Sequence, residues 1–419
     1  MHPFSTEVKK CPYPQYDRWR DEGPVLWNDE MSAWLILGYK EAVFVLDNHE
    51  TFSSTNSVFS PMAEDVQSFP SIINIDEPRH KKLRALAAKA FTPKSLTRDW
   101  MPRIERIVAE QLDQIDAETF NVIGDLAYPL PVRMIAEVIG VESENFAQFK
   151  RWSDELAKGI GGVVRTPDED LEFQKAIMGL NMYFMQQMGL RGDRPRDDLF
   201  THIFQAEIDG ERLTPIEMLA FLVLLLVAGN ETTTNLIGTA IRQLAEDPAL
   251  MARVREDRTL VWNLMEESLR YEAPIQGFYR KARQDIELAG KQIKAGEALC
   301  VLYAAGNWDP KEFECPEQFN IDNARRDHLA FGKGVHYCLG ASLARLEADI
   351  AINAVLDRFE TLTPQAGYEV TWRKTPFFRG MDEYPVSYKL PAGAGKSPSQ
   401  PSTKHHSRLI PGAAGSRNN

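Results

Sequence analysis

The stretch from Thr214 to Asp247 constrains the fold more than any other part of the chain. Thr214 can cap the free N–H groups of a helix, Pro215 suits the first helical position, and Glu217 can reach back as the other half of a capping box. Nothing interrupts the helical pattern before Asp247-Pro248, so the spacing predicts a helix to about Glu246. At 1.5 Å per residue that is a rod of roughly 45–50 Å. Its middle is apolar on every side, as in a helix that passes through the centre of a domain. The longest apolar run, Leu219 to Gly229, falls short of the ~20 residues needed to cross a bilayer, so no membrane anchor is expected.

Charge and cysteine content narrow the function classes. Sixty acids against 48 bases give a formal charge of −12, which argues against a nucleic-acid partner. Four cysteines in 419 residues are too few for a disulfide framework and suggest a reducing compartment. The opening MHPFSTEVKK has no apolar run for a signal peptide, so a cytoplasmic protein is expected. Residues 392–419 are rich in Pro, Gly, Ser and Ala and read as a disordered tail, with His405 and His406 a solvated pair. Residues 1–391 then form a single domain.

That domain reads as mainly α with a smaller β portion. Helical spacing recurs over 40–46, 124–140 and 142–159. Strands are expected at Trp34–Gly38, Ile286–Leu288, Gln292–Lys294 and Ala298–Ala304, with turns at Ala289-Gly290 and Ala295-Gly296. Met178, Met182, Met185 and Met188 form a helical stripe, read either as plain core or as a flexible cover over an entrance.

The chemistry concentrates in Phe331-Gly332-Lys333-Gly334-Val335-His336-Tyr337-Cys338-Leu339-Gly340. Two glycines permit φ > 0 and close approach to a flat ligand. Cys338 precedes a helical segment, and unpaired N–H groups at a helix start favour thiolate. With no second Cys or His at zinc spacing, such a sulfur suits one axial bond to a haem iron. Cys11, Cys300 and Cys315 lack this context.

The string resembles the ligand loop of the cytochromes P450, Phe-Gly-x-Gly-x-His-x-Cys-x-Gly, with every fixed position met by Phe331, Gly332, Gly334, His336, Cys338 and Gly340. Glu267 and Arg270, at i and i+3, look like the family's buried Glu-x-x-Arg pair, 338 − 267 = 71 residues before the cysteine. His80 and Arg84, at i and i+4 and followed by Ala90-Phe91-Thr92-Pro93, are similar to its propionate-binding helix; Arg280 and His336 match two further propionate positions. Ala228-Gly229-Asn230-Glu231-Thr232 matches the acid–alcohol pair over the haem, although a back-bonded Thr and an ion-paired Glu would equally explain these polar residues. The resemblance runs from about Val25 to Tyr388. It departs at Trp308, where the family usually has Arg, and at Gln318 or Asn323, so that Arg325 or His328 could complete the Glu267–Arg270 network.

The resemblance implies the cytochrome P450 fold, its long helix over haem b, and a monooxygenase that inserts one oxygen atom from O₂ into a medium-sized hydrophobic molecule. Alternatives are a thiolate-haem peroxygenase, an isomerase or dehydratase, and a non-catalytic haem sensor; Glu231 and Thr232 argue for the monooxygenase. Electrons would come from a ferredoxin or flavodoxin with its reductase, docking at Arg79, Lys81, Lys82, Lys89, Lys333 and Arg345. The implied substrate pocket includes segment 58–73 with Ile72, then Leu224, Val227, Ile275, Phe278 and Phe377-Phe378, largely apolar.

Overall fold

The capped stretch folds as its sequence directs. Thr214 Oγ accepts from the Glu217 N–H (3.2 Å), the Glu217 carboxylate accepts from the Thr214 N–H (2.9 Å), and the helix runs Pro215–Glu246. The computed structural model describes residues 2–391 except 56–70, 89–90, 116–117, 160–165, 208–209, 374 and 376. Residues 392–419, with the expected tail, lie outside the described residues, as do Lys89 and most of segment 58–73.

Helices Pro129–Ile139, Pro167–Asp193, Leu260–Tyr271 and Ala341–Arg358 are among those that pack on this axis. Among the described residues, the central helix is the one long and apolar enough to cross a bilayer, more than its unbroken apolar run suggested. It is nonetheless core: Leu222, Leu226, Ile237, Ala240, Ile241 and Leu244 expose nothing. The predicted 124–140 helix begins instead as a π-helical turn, Val122–Ala127, in which the Tyr128 N–H donates to Ile123 C=O (2.9 Å). Pro129 and Pro131 then lock the α-helical start, and Gly140 ends it at φ +83°.

A five-stranded sheet lies beside the helices in the order Val25–Asn28, Ala33–Ile36, Ala298–Val301, Phe278–Ala282, Phe52–Ser53. Ala33–Ile36 pairs in parallel with Ala298–Val301, across a long stretch of sequence. The expected strand to Ala304 stops at Val301 because Tyr303–Asn307 turns helical. The Ile286–Leu288 hairpin closes through Ala289 and Gly290, both at positive φ, onto Lys291–Ile293 rather than Gln292–Lys294. A third sheet joins Thr119–Asn121, Pro385–Lys389 and Thr361–Pro364.

The methionine stripe differs from the core expectation. Met178, Met182 and Met185 are exposed on the outer face of Pro167–Asp193, and only Met188 packs on the core. Neither do they line the cavity described below.

Candidate active site

The cysteine loop is fixed by its backbone. Gly332 (φ +67°) and Gly334 (φ +66°) occupy the left-handed region, and a Cβ on Gly334 would lie 2.4 Å from the Leu46 carbonyl oxygen. The Cys338 N–H donates to Phe331 C=O (2.9 Å), closing the loop just before helix Ala341–Arg358. The Cys338 thiol faces a cavity. Burial pushes its pKa up, while the Gly340 and Ala341 N–H groups and the Arg345 and Arg84 guanidinium groups pull it down. Coordination to a metal would remove the proton outright.

The cavity spans from this loop to the central helix. Its walls include Ile72, Leu224, Val227, Ile275, Phe278 and Phe378, with Ala228, Gly229 and Thr232 above and Phe331, Gly332, Cys338 and Gly340 below. Phe377 does not line it: alternation about the Ile275–Phe378 bridge turns Phe377 away, against Phe4 (ring centroids 4.8 Å) and Phe278 (5.9 Å). Gly229 serves packing too, since a Cβ there would lie 3.3 Å from Ile135. The sequence reading missed Phe91, Phe221 and Tyr303, aromatic residues whose spacing does not distinguish a pocket wall from core.

At one edge stand four polar side chains from three separate segments. Arg84, Arg280 and His336 line the cavity, and the His80 ring packs against His336 with centroids 4.1 Å apart and planes tilted by 41°. Both imidazole Nε2 atoms are buried without a hydrogen-bond partner. Burial, with Arg280 and His80 nearby, holds His336 down to about 3; burial also lowers His80, against the pull of Glu77. A planar ligand bringing two carboxylates to this edge would meet two guanidinium groups and two unsatisfied imidazoles. The residues fit haem, which Cys338 would hold through its sulfur.

Beneath the loop lie two buried ion pairs. Arg270 grips Glu267 in a fork (2.8 and 2.7 Å) and donates to the carbonyls of Asn307, Pro316 and Gln318, while the Asn320 N–H donates to Glu267. Main-chain groups complete this network. Arg325 is engaged instead with Glu312 and Asp327, and His328 stands 3.4 Å from Glu266. Glu266, unnoticed in the sequence, holds Arg345 in a second fork (2.7 and 2.8 Å). Despite burial, Arg345 and His328 bring Glu266 down to about 2. Trp308 stacks on Tyr13 (3.7 Å) and donates to Tyr271 C=O (2.9 Å).

Above the cavity, Thr232 Oγ1 donates to Ala228 C=O (2.7 Å). Glu231 is buried and points elsewhere: one carboxylate oxygen bonds Arg373, the other has no partner. Burial pushes the Glu231 carboxyl up, against Arg373. The structure thus brings Thr232 to the cavity but not Glu231.

The basic docking face is smaller than expected. Arg345 is buried on Glu266. Arg79 pairs with Glu217 (2.6 Å) and Glu211 (2.8 Å), and Lys82 with Glu211 (2.6 Å). Of the described members of the proposed cluster, Lys81 and Lys333 remain.

Comparison with known proteins agrees with this geometry. The cytochrome P450 family model matches residues 172–378. "Cytochrome P450 109" of Bacillus spizizenii is 38% identical over 386 residues, 91% of this chain and 93% of that protein. The solved structure of CYP109E1 from Bacillus megaterium in complex with corticosterone superposes with a TM-score of 0.82 at 37% identity, covering 91% of this chain and 99% of that one. That of P450BioI in complex with hexadec-9Z-enoic acid ligated acyl carrier protein gives 0.83 at 33% identity, covering 92% and 99%. A thiol beneath a cavity edged by two guanidinium groups and two imidazoles thus has the company its chemistry demands: the chain belongs to the cytochrome P450 family, and it is a monooxygenase that binds haem b.

Proposed function

We propose that the enzyme oxidises a neutral, compact hydrophobic molecule of about steroid size. The observation that carries this reading is the chemistry of the cavity wall. Around the substrate end the lining is aliphatic and aromatic, and the charged lining groups are Arg84, Arg280 and Glu347. Both arginines belong to the carboxylate-binding edge, which leaves no lining cation among the described residues to grip a free fatty acid. The corticosterone held by the similar Bacillus megaterium enzyme is a ligand of the favoured kind.

Haem supplies dioxygen activation and the insertion of one oxygen atom. Cys338 would hold it through the sulfur, and His80, Arg84, Arg280 and His336 would hold its carboxylates. Ile72, Leu224, Val227, Ile275, Phe278 and Phe378 exclude water and orient the substrate. Thr232 offers its hydroxyl to O₂ once that hydroxyl leaves Ala228 C=O. Glu231 takes up protons when it releases Arg373, whose side chain is partly exposed, and so links the site to solvent. A peroxygenase or sensor has no need of this pair. Electrons come from a separate ferredoxin or flavodoxin, with Lys81 and Lys333 as residual steering charges, in a cytoplasmic setting.

The test is a spectral titration of the ferric protein with neutral steroids and with free fatty acids of matched size. Steroids should shift the Soret band to shorter wavelength at lower concentrations than the acids do. Tighter binding of the acids would overturn the neutral-substrate reading.

A further inference from the structure

One wall of the cavity is a short pair of extended segments with an inner and an outer side. Ile275 and Phe378 face each other across an antiparallel bridge, and the N–H groups of Gln276 and Arg379 donate to the carbonyls of Phe377 (2.8 Å) and Pro274 (2.9 Å). Alternation along the pair sends Ile275 and Phe378 into the cavity and turns Gln276 and Phe377 outward. Neither outward residue meets solvent, since Gln276 is 1% exposed and Phe377 2%.

Residues from the start of the chain cover that outer side. The Phe4 ring packs on Phe377 with centroids 4.8 Å apart, Tyr16 Oη donates to Gln276 Oε1 (3.2 Å), and Arg379 donates to Lys10 C=O (3.5 Å). Tyr16 sits in helix Tyr13–Glu22, which Tyr13 Oη ties to Tyr271 C=O (2.7 Å). Phe4 precedes that helix and is held by a local turn: the Ser5 N–H donates to His2 C=O (3.0 Å) and the Phe4 N–H to His2 Nδ1 (3.1 Å). Phe377 also packs against Phe278, a second wall residue, at 5.9 Å. Phe4 is buried yet is not among the lining residues. Its ring bears on the wall through Phe377, and a close-packed interior transmits such a contact.

We propose that Phe4 is a positioning residue for the substrate: by buttressing Phe377 from behind, it sets the width of the cavity at Ile275, Phe278 and Phe378. This assignment rests on the reading of that cavity as the substrate pocket. A void behind Phe377 is only partly refilled by relaxation of its neighbours, so the wall falls back into it. Ligands that fit the native width then lose contact, and wider ones gain room.

The test uses three nitrogen ligands that bind ferric haem iron directly and differ in width: imidazole, phenylimidazole and triphenylmethylimidazole. Each is titrated into the haem-loaded full chain by the Soret shift to longer wavelength, with the ferrous–CO band and the urea midpoint confirming the fold of every variant. Phe4→Ala should leave imidazole binding unchanged, weaken phenylimidazole and tighten triphenylmethylimidazole. The ratio of the last two dissociation constants should move about tenfold, the scale of one methylene in an apolar pocket. Phe4→Leu should keep most of the wild-type ratio and Phe4→Val should fall between, so the series decides the matter even where the alanine variant does not load haem. A lower urea midpoint with an unchanged ratio would mean that Phe4 only packs, and would overturn the proposal. Equal weakening of all three ligands would overturn it too. A shifted ratio in a protein that binds fatty acids more tightly than steroids would uphold the buttress while rejecting the neutral substrate.

Discussion

On the thiolate side of the cavity, Glu266, Glu267, Arg270 and Arg345 are almost wholly buried, and each carries a full set of ionic or main-chain partners. On the central-helix side the contacts are sparser: a hydroxyl bonded back to its own helix, and a carboxylate with one oxygen paired to the distant Arg373 and one unpaired. The first plan suits a platform that must not move, because breaking a buried pair strands a charge in low dielectric. The second suits groups that must exchange partners during turnover. Glu347 is the exception below, a buried acid on the cavity wall with an unpartnered oxygen.

The contrast can be tested from its foundation upward. Cys338→Ala should abolish the strongly red-shifted ferrous–CO Soret band altogether, and retention of that band would reassign the axial ligand. Arg270→Ala leaves Glu267 buried beside one N–H donor, so a loss of about 3–5 kcal/mol in unfolding free energy is expected from denaturant titration. A cost as small as that of a surface pair would mean that the platform is not rigid. Thr232→Ala should leave the CO band and substrate binding nearly intact, yet lower product formed per reductant consumed several-fold, with more O₂ leaving as hydrogen peroxide. If that ratio held, the upper side would have no proton-delivery role.

The smallest effect concerns Glu347. Burial raises it from the ordinary 4.5 to about 8, so the folded state favours the protonated acid. That contribution is complete below the ordinary carboxylate range and is lost as pH rises through about 8. The wild-type urea midpoint should therefore fall between about pH 6 and about pH 9, and Glu347→Gln should flatten the fall. Equal slopes in the two proteins would show that the acid is solvated in the loaded enzyme.

Local features were legible in the sequence, and long-range pairings were not. The Thr214–Glu217 cap and the glycines around Cys338 act within a few residues, so their spacing carries their meaning. Arg373 meets Glu231 from 142 residues away and Arg345 meets Glu266 from 79. No periodicity encodes such meetings, and Arg345 consequently read as a surface cation. Phe377 and Phe378 show a finer limit, because adjacent residues on an extended segment face opposite ways and only the Ile275 bridge fixes which one looks inward.

The parallel pairing of Ala33–Ile36 with Ala298–Val301 has a consequence for biosynthesis. The earlier strand leaves the ribosome long before its partner is made, and until then it presents an unpaired edge bearing Leu35 and Ile36, both fully buried at the end. The cysteine loop is translated later still, so the nascent chain carries half a cavity for most of its elongation and cannot retain its cofactor. Yield of the active enzyme is therefore governed by how well this interval is shielded from aggregation, and slower growth at lower temperature with ample haem should favour it.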